Sequence, residues 1–552
     1  MQKIKLLSAV AVMALVSLTG CGKRADDVTE EDPTKANLYV TTFEGGVGDQ
    51  WLKNAAQQFE KLCKDRDDFQ EGRIGVKINI TKDRDASGRV LTTAKELSKD
   101  VYFTEDVDYY TLCNQGKLAD ITDIVTTANS DDGGKKIIDK VDANLRNFLN
   151  IRNEGKYYAL PFYDCVYGLV YDKELFEEQR FYITEAGTRS NGSNLSTGPN
   201  GVAGDWDDGL PKTYAQFETM LEWMRDDSVT PFVYSEGNSI DYTSRALISY
   251  WSDYEGFEQT NLNYLYNGTA TNIVKVTEKD GKYEAVINNG VPETEEVEIN
   301  QNNGYLLKRQ AGVYSALNFT KNILCGKKNN YVSASSNYNA QKAFVNYKRS
   351  GNNPIAMLFE GMWWENEAVA AFEAATRSYG ADPSSFRYGF MPIPKADESK
   401  VGEKATFLNL NDSYGFISSK SKQMKLAKEF FAFLHSDEQM RAFTIETKMT
   451  RGLDYTFNET DRSKLTEFAR DLVDMKQSEY VDIVYPCSGL PFIVNNSSYF
   501  YPTYWGWSID RLNTKSNPLE KFIDGSYPSA EKYFNDHINS MNAGDWSGIL
   551  RG

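Results

Sequence analysis

Between residues 38 and 103 the chain alternates short apolar runs with amphipathic ones, and few folds accept that order. Residues 38–43 read as a strand and 44–48 as a loop. Residues 50–63 read as a helix with Trp51, Ala55, Phe59 and Leu62 on one face. A second strand at 76–80, a helix at about 89–97 and a third strand at 100–103 follow. Strand, helix, strand, helix, strand implies an α/β unit on a parallel sheet. Ligands of such sheets bind beyond the carboxyl ends of the strands, where residues 44–49 and 104–110 fall. At 552 residues the chain exceeds one ordinary core, so two or more lobes are expected.

Composition narrows the function. Hydrophobic residues at 41% and charged residues at 25% fit a globular chain rather than a disordered tail or a multi-span membrane protein. The net charge of −17 makes a nucleic-acid partner a poor fit, because phosphate neutralisation needs clustered Lys and Arg. His435 and His537 are the only histidines, which argues against multi-histidine zinc sites and most histidine-based triads. Phosphate loops fail as well: Gly45-Gly46-Val47-Gly48 lacks the required spacing, and Glu44 would repel phosphate.

The first 21 residues read as an address. Lys3 and Lys5 precede an apolar run at 6–18, too short for a bilayer span, which ends in Leu18-Thr19-Gly20-Cys21. This ending resembles the lipobox of bacterial lipoproteins. The resemblance implies a signal peptide over 1–20, acylation of Cys21 and an extracytoplasmic protein anchored by lipid to the cell membrane. Residues 21–36 read as a flexible tether. The other cysteines, Cys63, Cys113, Cys165, Cys325 and Cys487, are scattered and odd in number; they read as small buried apolar residues rather than a disulfide framework.

Further along, six segments resemble one family in its own order. Residues 99–121 (KDVYFTEDVDYYTLCNQGKLADI) are similar to a "P-D-V … G-x-L-x-D" stretch. Residues 155–176 (GKYYALPFYDCVYGLVYDKELF) are similar to the crossover "G-K-x-Y-x-x-P … Y-N/D-K-x-L-F". Leu210-Pro211-Lys212-Thr213-Tyr214, residues 355–363 (IAMLFEGMW), residues 388–394 (YGFMPIP) and residues 408–434 supply the rest. Together they resemble the extracellular solute-binding proteins of bacterial sugar ABC importers, the family that includes maltose-binding protein. The resemblance implies two α/β lobes with parallel-rich sheets, joined by a multi-strand hinge. The first lobe is expected over 37–160 and 406–490, the second over 161–405 and 491–552. Insertions are expected near 184–209 and 271–303, the latter as a hairpin around Lys279-Asp280-Gly281-Lys282.

The resemblance also implies the ligand site. Sugars need flat aromatics for their faces and planar polar groups for their hydroxyls. Trp363 matches the family's stacking tryptophan, with Trp364 beside it. Tyr242 and Asp241 lie in a segment similar to one that carries a stacking tyrosine, and Trp251 follows, with core packing as its alternative. Trp505, or else Trp507, falls in the late aromatic run. Glu44, Asp106 and Asp108 sit on strand-end loops, Tyr163 and Asp164 at the crossover, and Asn411 and Asp412 at the hinge; each alone could also be a helix cap or loop residue.

The expected function is capture of a carbohydrate, an oligosaccharide, and its delivery to ABC permease subunits by a monomeric receptor with no catalysis. A peptide receptor of an importer and a surface glycan-binding or sensor lipoprotein are the alternatives. Paired carboxylates with aromatics also serve glycosidases, but no spacing here identifies an acid and a nucleophile. No cofactor is expected beyond a structural calcium at Asn200, Asp205, Asp207 and Asp208, whose oxygens suit that ion. Gln216 stands where an EF-hand would place its glutamate, and an Asp-rich turn is the alternative.

Overall fold

The computed structural model describes residues 31–43, 45–83, 87–235, 242–327, 330–350, 353–382, 385–486, 488–496, 499–500, 502–510 and 516–551. Cys21, Glu44, Asp241 and Cys487 lie outside them.

Two five-stranded mixed sheets organise the chain. The first runs Val76–Asp83, Ala36–Phe43, Val101–Thr104, Tyr414–Ile417 and Ala159–Pro161. Ala36–Phe43 pairs in parallel with a strand on each side and is buried on both faces, Asn37, Thr41 and Thr42 included. Tyr414–Ile417 returns from late in the chain and enters antiparallel. The second sheet runs Tyr331–Ala334, Thr230–Ser235, Ile355–Gly361, Tyr167–Asp172 and Tyr388–Met391. Helices cover both sheets, giving the α/β layering that the alternation implies and the two lobes that chain length and the resemblance imply. No described helix is long and apolar enough to cross a membrane.

Local expectations met local corrections. Helix Gln50–Leu62 buries Trp51, Ala55 and Phe59, but Leu62 at its last turn is 68% exposed. The next helix, Gly88–Thr93, stops short of Leu97 because Ala94 is already extended. The hairpin in the second insertion pairs Val276–Lys279 with Lys282–Ala285, and Asp280 and Gly281 both hold the positive φ that a tight two-residue turn requires. The stretch expected for the first lobe at its late end divides. Helix Met424–Leu434 packs on the first lobe, whereas helix Glu467–Gln477 packs on Tyr388–Met391 of the second sheet, where Lys173 pairs with Asp471 at 2.9 Å. Val481–Val484 pairs with Ala405–Leu408 beside helix Tyr242–Leu265. Among the described residues Cys63, Cys113, Cys165 and Cys325 are free thiols, each buried or half-buried.

Candidate ligand cleft

A cavity of about 260 Å³ lies between the lobes, at the carboxyl ends of the first sheet's parallel strands. Phe43, Gly45, Gly46, Val47, Glu105 and Asp106 wall it from the first lobe. Tyr167, Tyr242, Arg245, Trp363 and Glu367 wall it from the second, and Tyr163 and Asn411 come from the crossing segments.

The aromatic wall is built on a glycine. Strand Ile355–Gly361 ends where the Trp363 indole folds back over Gly361; a Cβ there would stand 2.2 Å from the ring. Trp363 then meets Tyr167 edge-on at 4.8 Å between centroids and Tyr242 at 5.3 Å. One helical turn places Tyr242 and Arg245 on the same face of their helix, and another places Glu367 four residues after Trp363.

The polar wall is a connected network. The Tyr163 hydroxyl donates to Glu105 Oε1 at 2.5 Å and accepts from Asn411 Nδ2 at 2.9 Å. Asn411 Oδ1 accepts from the Tyr167 hydroxyl at 3.0 Å and from the Arg245 guanidinium. The Tyr242 hydroxyl donates to Glu367 at 3.0 Å, and Gln341 bridges Glu367 and the buried Glu360. Burial pushes the Glu105 carboxyl up to about 7; the negative charges of Asp106 and Glu367 add to it, and the Tyr163 bond opposes it. Burial, followed by the charge of Glu367, holds Glu360 well above the usual carboxylate range. The lobes touch across this wall, with Asn366 donating to the Gly46 carbonyl. Flat rings beside convergent acceptors and a guanidinium can stack against a ring face and bind the hydroxyls around it.

The sequence-predicted residues divide between this cavity and other places. Trp363, Tyr242, Tyr163, Asp106 and Asn411 line it together. Asp108 caps helix Tyr109–Asn114, accepting from Thr111. Asp412 sits in the adjoining hinge turn with φ 41°; burial and the charges of Asp106 and Asp108 push it up to about 8. Asp164 faces a second cavity, where it pairs with Lys476 at 2.6 Å and accepts from Thr450. Trp364, the next residue after the stacking position, points into the second lobe's core against Phe344, Phe372 and Tyr388. Trp251 is buried in that lobe beneath Gly506. Trp505 is buried against Phe500 and Trp546, its indole N–H bonded to Asn263, and Trp507 is likewise buried. Apolar area drives these rings inward, and their N–H groups find partners where they can.

Glu105, Tyr167, Arg245 and Glu367 line the cavity and were not anticipated from sequence. Arg245 and Glu367 carried a readable signal, the helical spacing from Tyr242 and Trp363. Glu105 carried one too, as a carboxylate on the 104–110 loop at the strand ends, and it lines the cavity together with Asp106.

The Asp205 loop is a separate feature. The carboxylates of Asp205, Asp207 and Asp208 have oxygens within 4.8 Å of one another. Asp207 is fully buried; among the described residues its Oδ1 and that of Asp208 have no hydrogen-bond partner. Burial and the neighbouring Asp205 and Asp208 push Asp207 up to about 9. Crowded, orphaned carboxylate oxygens fit a hard divalent cation. Asn200 is not a free donor: its side-chain amide donates to Asp205 at 2.7 Å and its Oδ1 accepts from Val202 N.

Comparison with known proteins agrees with this architecture. A family model for bacterial extracellular solute-binding proteins matches residues 49–441. Among solved structures, apo RafE from Streptococcus pneumoniae shares 13% identity at a TM-score of 0.54, covering 94% of this chain and all of its own. A cyclic alpha-maltosyl-1,6-maltose binding protein from Arthrobacter globiformis shares 13% identity at a TM-score of 0.51, with the same coverage. RafE in complex with raffinose aligns at a TM-score of 0.53 with 14% identity, covering 94% of this chain and all of that one. No curated protein sequence matches the chain. With the family model spanning well over half its length, this chain belongs to the bacterial extracellular solute-binding protein family.

Proposed function

We propose that this protein is the lipid-anchored receptor of an ABC importer, capturing an oligosaccharide between its lobes and delivering it to the permease. The observation that carries the reading is the cavity itself, where Trp363 and Tyr242 stand opposite Glu105, Asp106 and Asn411. Aromatic faces across from clustered acceptors are what a ring with C–H faces and hydroxyl edges needs. That two structural neighbours are described with raffinose and with a cyclic maltosyl-maltose supports the same class. The protein acts by binding and carries out no reaction. Ligand stabilises the closed lobes through contacts that the open form lacks.

Asp205, Asp207 and Asp208 are proposed to hold a calcium ion, which would neutralise the buried carboxylates and brace the loop.

The test is a thermal-shift and calorimetric screen against oligosaccharides and peptides, since a ligand of the folded state raises the midpoint by mass action. The expected result is a shift with one oligosaccharide class that Trp363→Ala abolishes. Shifts with peptides alone overturn the carbohydrate reading.

A further inference from the structure

The end of the first lobe opposite the cleft carries a charge pattern that ligand capture does not use. Lys35, Arg73, Lys99, Lys420 and Lys422 line one cavity of about 290 Å³. On a chain of net charge −17 this is a local reversal of sign. Arg73, Lys99, Lys420 and Lys422 have no ion-pair partner within 4.0 Å among the described residues, and Lys35 reaches only Asp32 at 3.8 Å. Glu31 and Asp100 also line the cavity. The Asp100 carboxylate is already taken by the Tyr39 N–H and the Ser421 hydroxyl.

Two further observations place this patch. Ile74, next to Arg73, is 63% exposed, and its N–H is tied to the Thr34 carbonyl, so an apolar side chain stands out beside the cations. The patch also lies where the described chain begins. Lys35 precedes the first strand, Arg73 the second and Lys99 the third, while Lys420 and Lys422 follow Tyr414–Ile417, which runs the other way. The cleft residues Phe43, which ends the first strand, and Glu105, which follows the third, lie at the far ends of those strands. Cys21 lies about ten residues before Glu31, a reach of at most about 35 Å.

We propose that, while the receptor is not docked on its permease, this basic end of the first lobe rests on the anionic phospholipid headgroups of the membrane that the anchor enters, turning the cleft toward the medium for capture. The proposal rests on the lipoprotein reading given above. Clustered Lys and Arg beside a membrane tether gain from the surface potential of anionic lipid, and the gain falls with salt.

The test uses the full chain purified from membranes, with the state of Cys21 read by mass spectrometry. The acylated protein is placed in vesicles of phosphatidylcholine alone or with about 30% phosphatidylglycerol, and amide hydrogen exchange is followed by peptide. The expected result is exchange slowed about threefold or more over residues 70–75 and 418–423 with phosphatidylglycerol only, and unchanged over the cleft loop 45–48. The slowing is expected to vanish in about 0.5 M NaCl and in Lys420→Glu/Lys422→Glu, whose melting point stays at the parent value. Equal exchange in both lipids overturns the membrane contact and leaves the anchor standing. The same protection with inorganic phosphate on phosphatidylcholine vesicles assigns the cavity to free phosphate and also overturns it. An unacylated Cys21 removes the anchor and the proposal with it.

Discussion

Trp363 and Glu105 carry the two halves of the cleft's chemistry. Trp363 is wedged between Tyr167 and Tyr242, so truncating it removes a ring face and loosens the wall behind it. Trp363→Ala is expected to weaken oligosaccharide binding about 100-fold, roughly 2.7 kcal/mol, measured by calorimetry. Glu105 is the clearest titrating acceptor. Its carboxyl titrates near 7 because the cavity wall desolvates it, with Asp106, Arg245 and Glu367 as its charged neighbours. A sugar hydroxyl donates better to the ionised form, so affinity is expected to rise between about pH 6 and pH 8. Glu105→Gln is expected to weaken binding and to flatten that rise. A wild-type profile already flat across this range would remove Glu105 from the recognition of ligand.

At the scale of elements, closure depends on how near the loop after Ala36–Phe43 can come to the turn after Ile355–Gly361. A Cβ on Gly46 would stand 3.1 Å from Trp363 Cβ and 3.2 Å from Glu367 Cβ. Gly46 does not need a positive φ, so a larger residue there obstructs the neighbouring lobe rather than its own backbone. Gly46→Val is therefore expected to leave the ligand-free melting point within about 1 °C, weaken binding at least about tenfold, and abolish the ligand-induced fall in radius of gyration seen by solution scattering. The acidic loop is a second element with its own test. If the loop holds calcium as proposed, the ion would have to displace the proton from Asp207, whose carboxyl burial pushes up to about 9. The rise in melting point on adding calcium to chelator-treated protein is thus expected to grow from pH 6 to pH 9 and to disappear in Asp207→Asn.

The whole molecule sums many buried carboxylates. Glu105, Glu255, Glu365 and Asp471 are each pushed up to about 7, in every case with burial as the largest cause. A raised carboxyl binds its proton more tightly folded than unfolded. Its contribution to stability is complete below its ordinary value, near 4, and is lost as pH rises through about 7. Asp68 and Asp437 oppose this trend at the acid end: Asp68 is lowered chiefly by its Arg66 bond, and Asp437 by Lys135 and Lys140 against its burial. Stability is expected to peak near pH 5 and to decline toward pH 8, read as the melting point across a buffer series. A flat profile would mean that these carboxyls stay hydrated in solution.

Local periodicity determined the early strands, the helix at Gln50–Leu62, the two-residue turn at Asp280-Gly281 and the α/β class, because hydrophobic spacing and turn chemistry act over a few residues; chain length and the family resemblance supplied the two lobes. The resemblance to the solute-binding family, not spacing, pointed to Trp363 and Tyr242, and both line the cleft. The tertiary structure alone decided the rest. Trp364 differs from Trp363 by one position, yet packing turns it into the core of the second lobe. Trp505 and Trp251 read as candidates until the late helices close over them. Asp164 is drawn to Lys476, more than 300 residues away in sequence, because a buried carboxylate takes the nearest cation the fold supplies. Which of several aromatic or acidic residues faces a ligand is settled by pairings between distant segments, and those pairings leave no mark in local spacing.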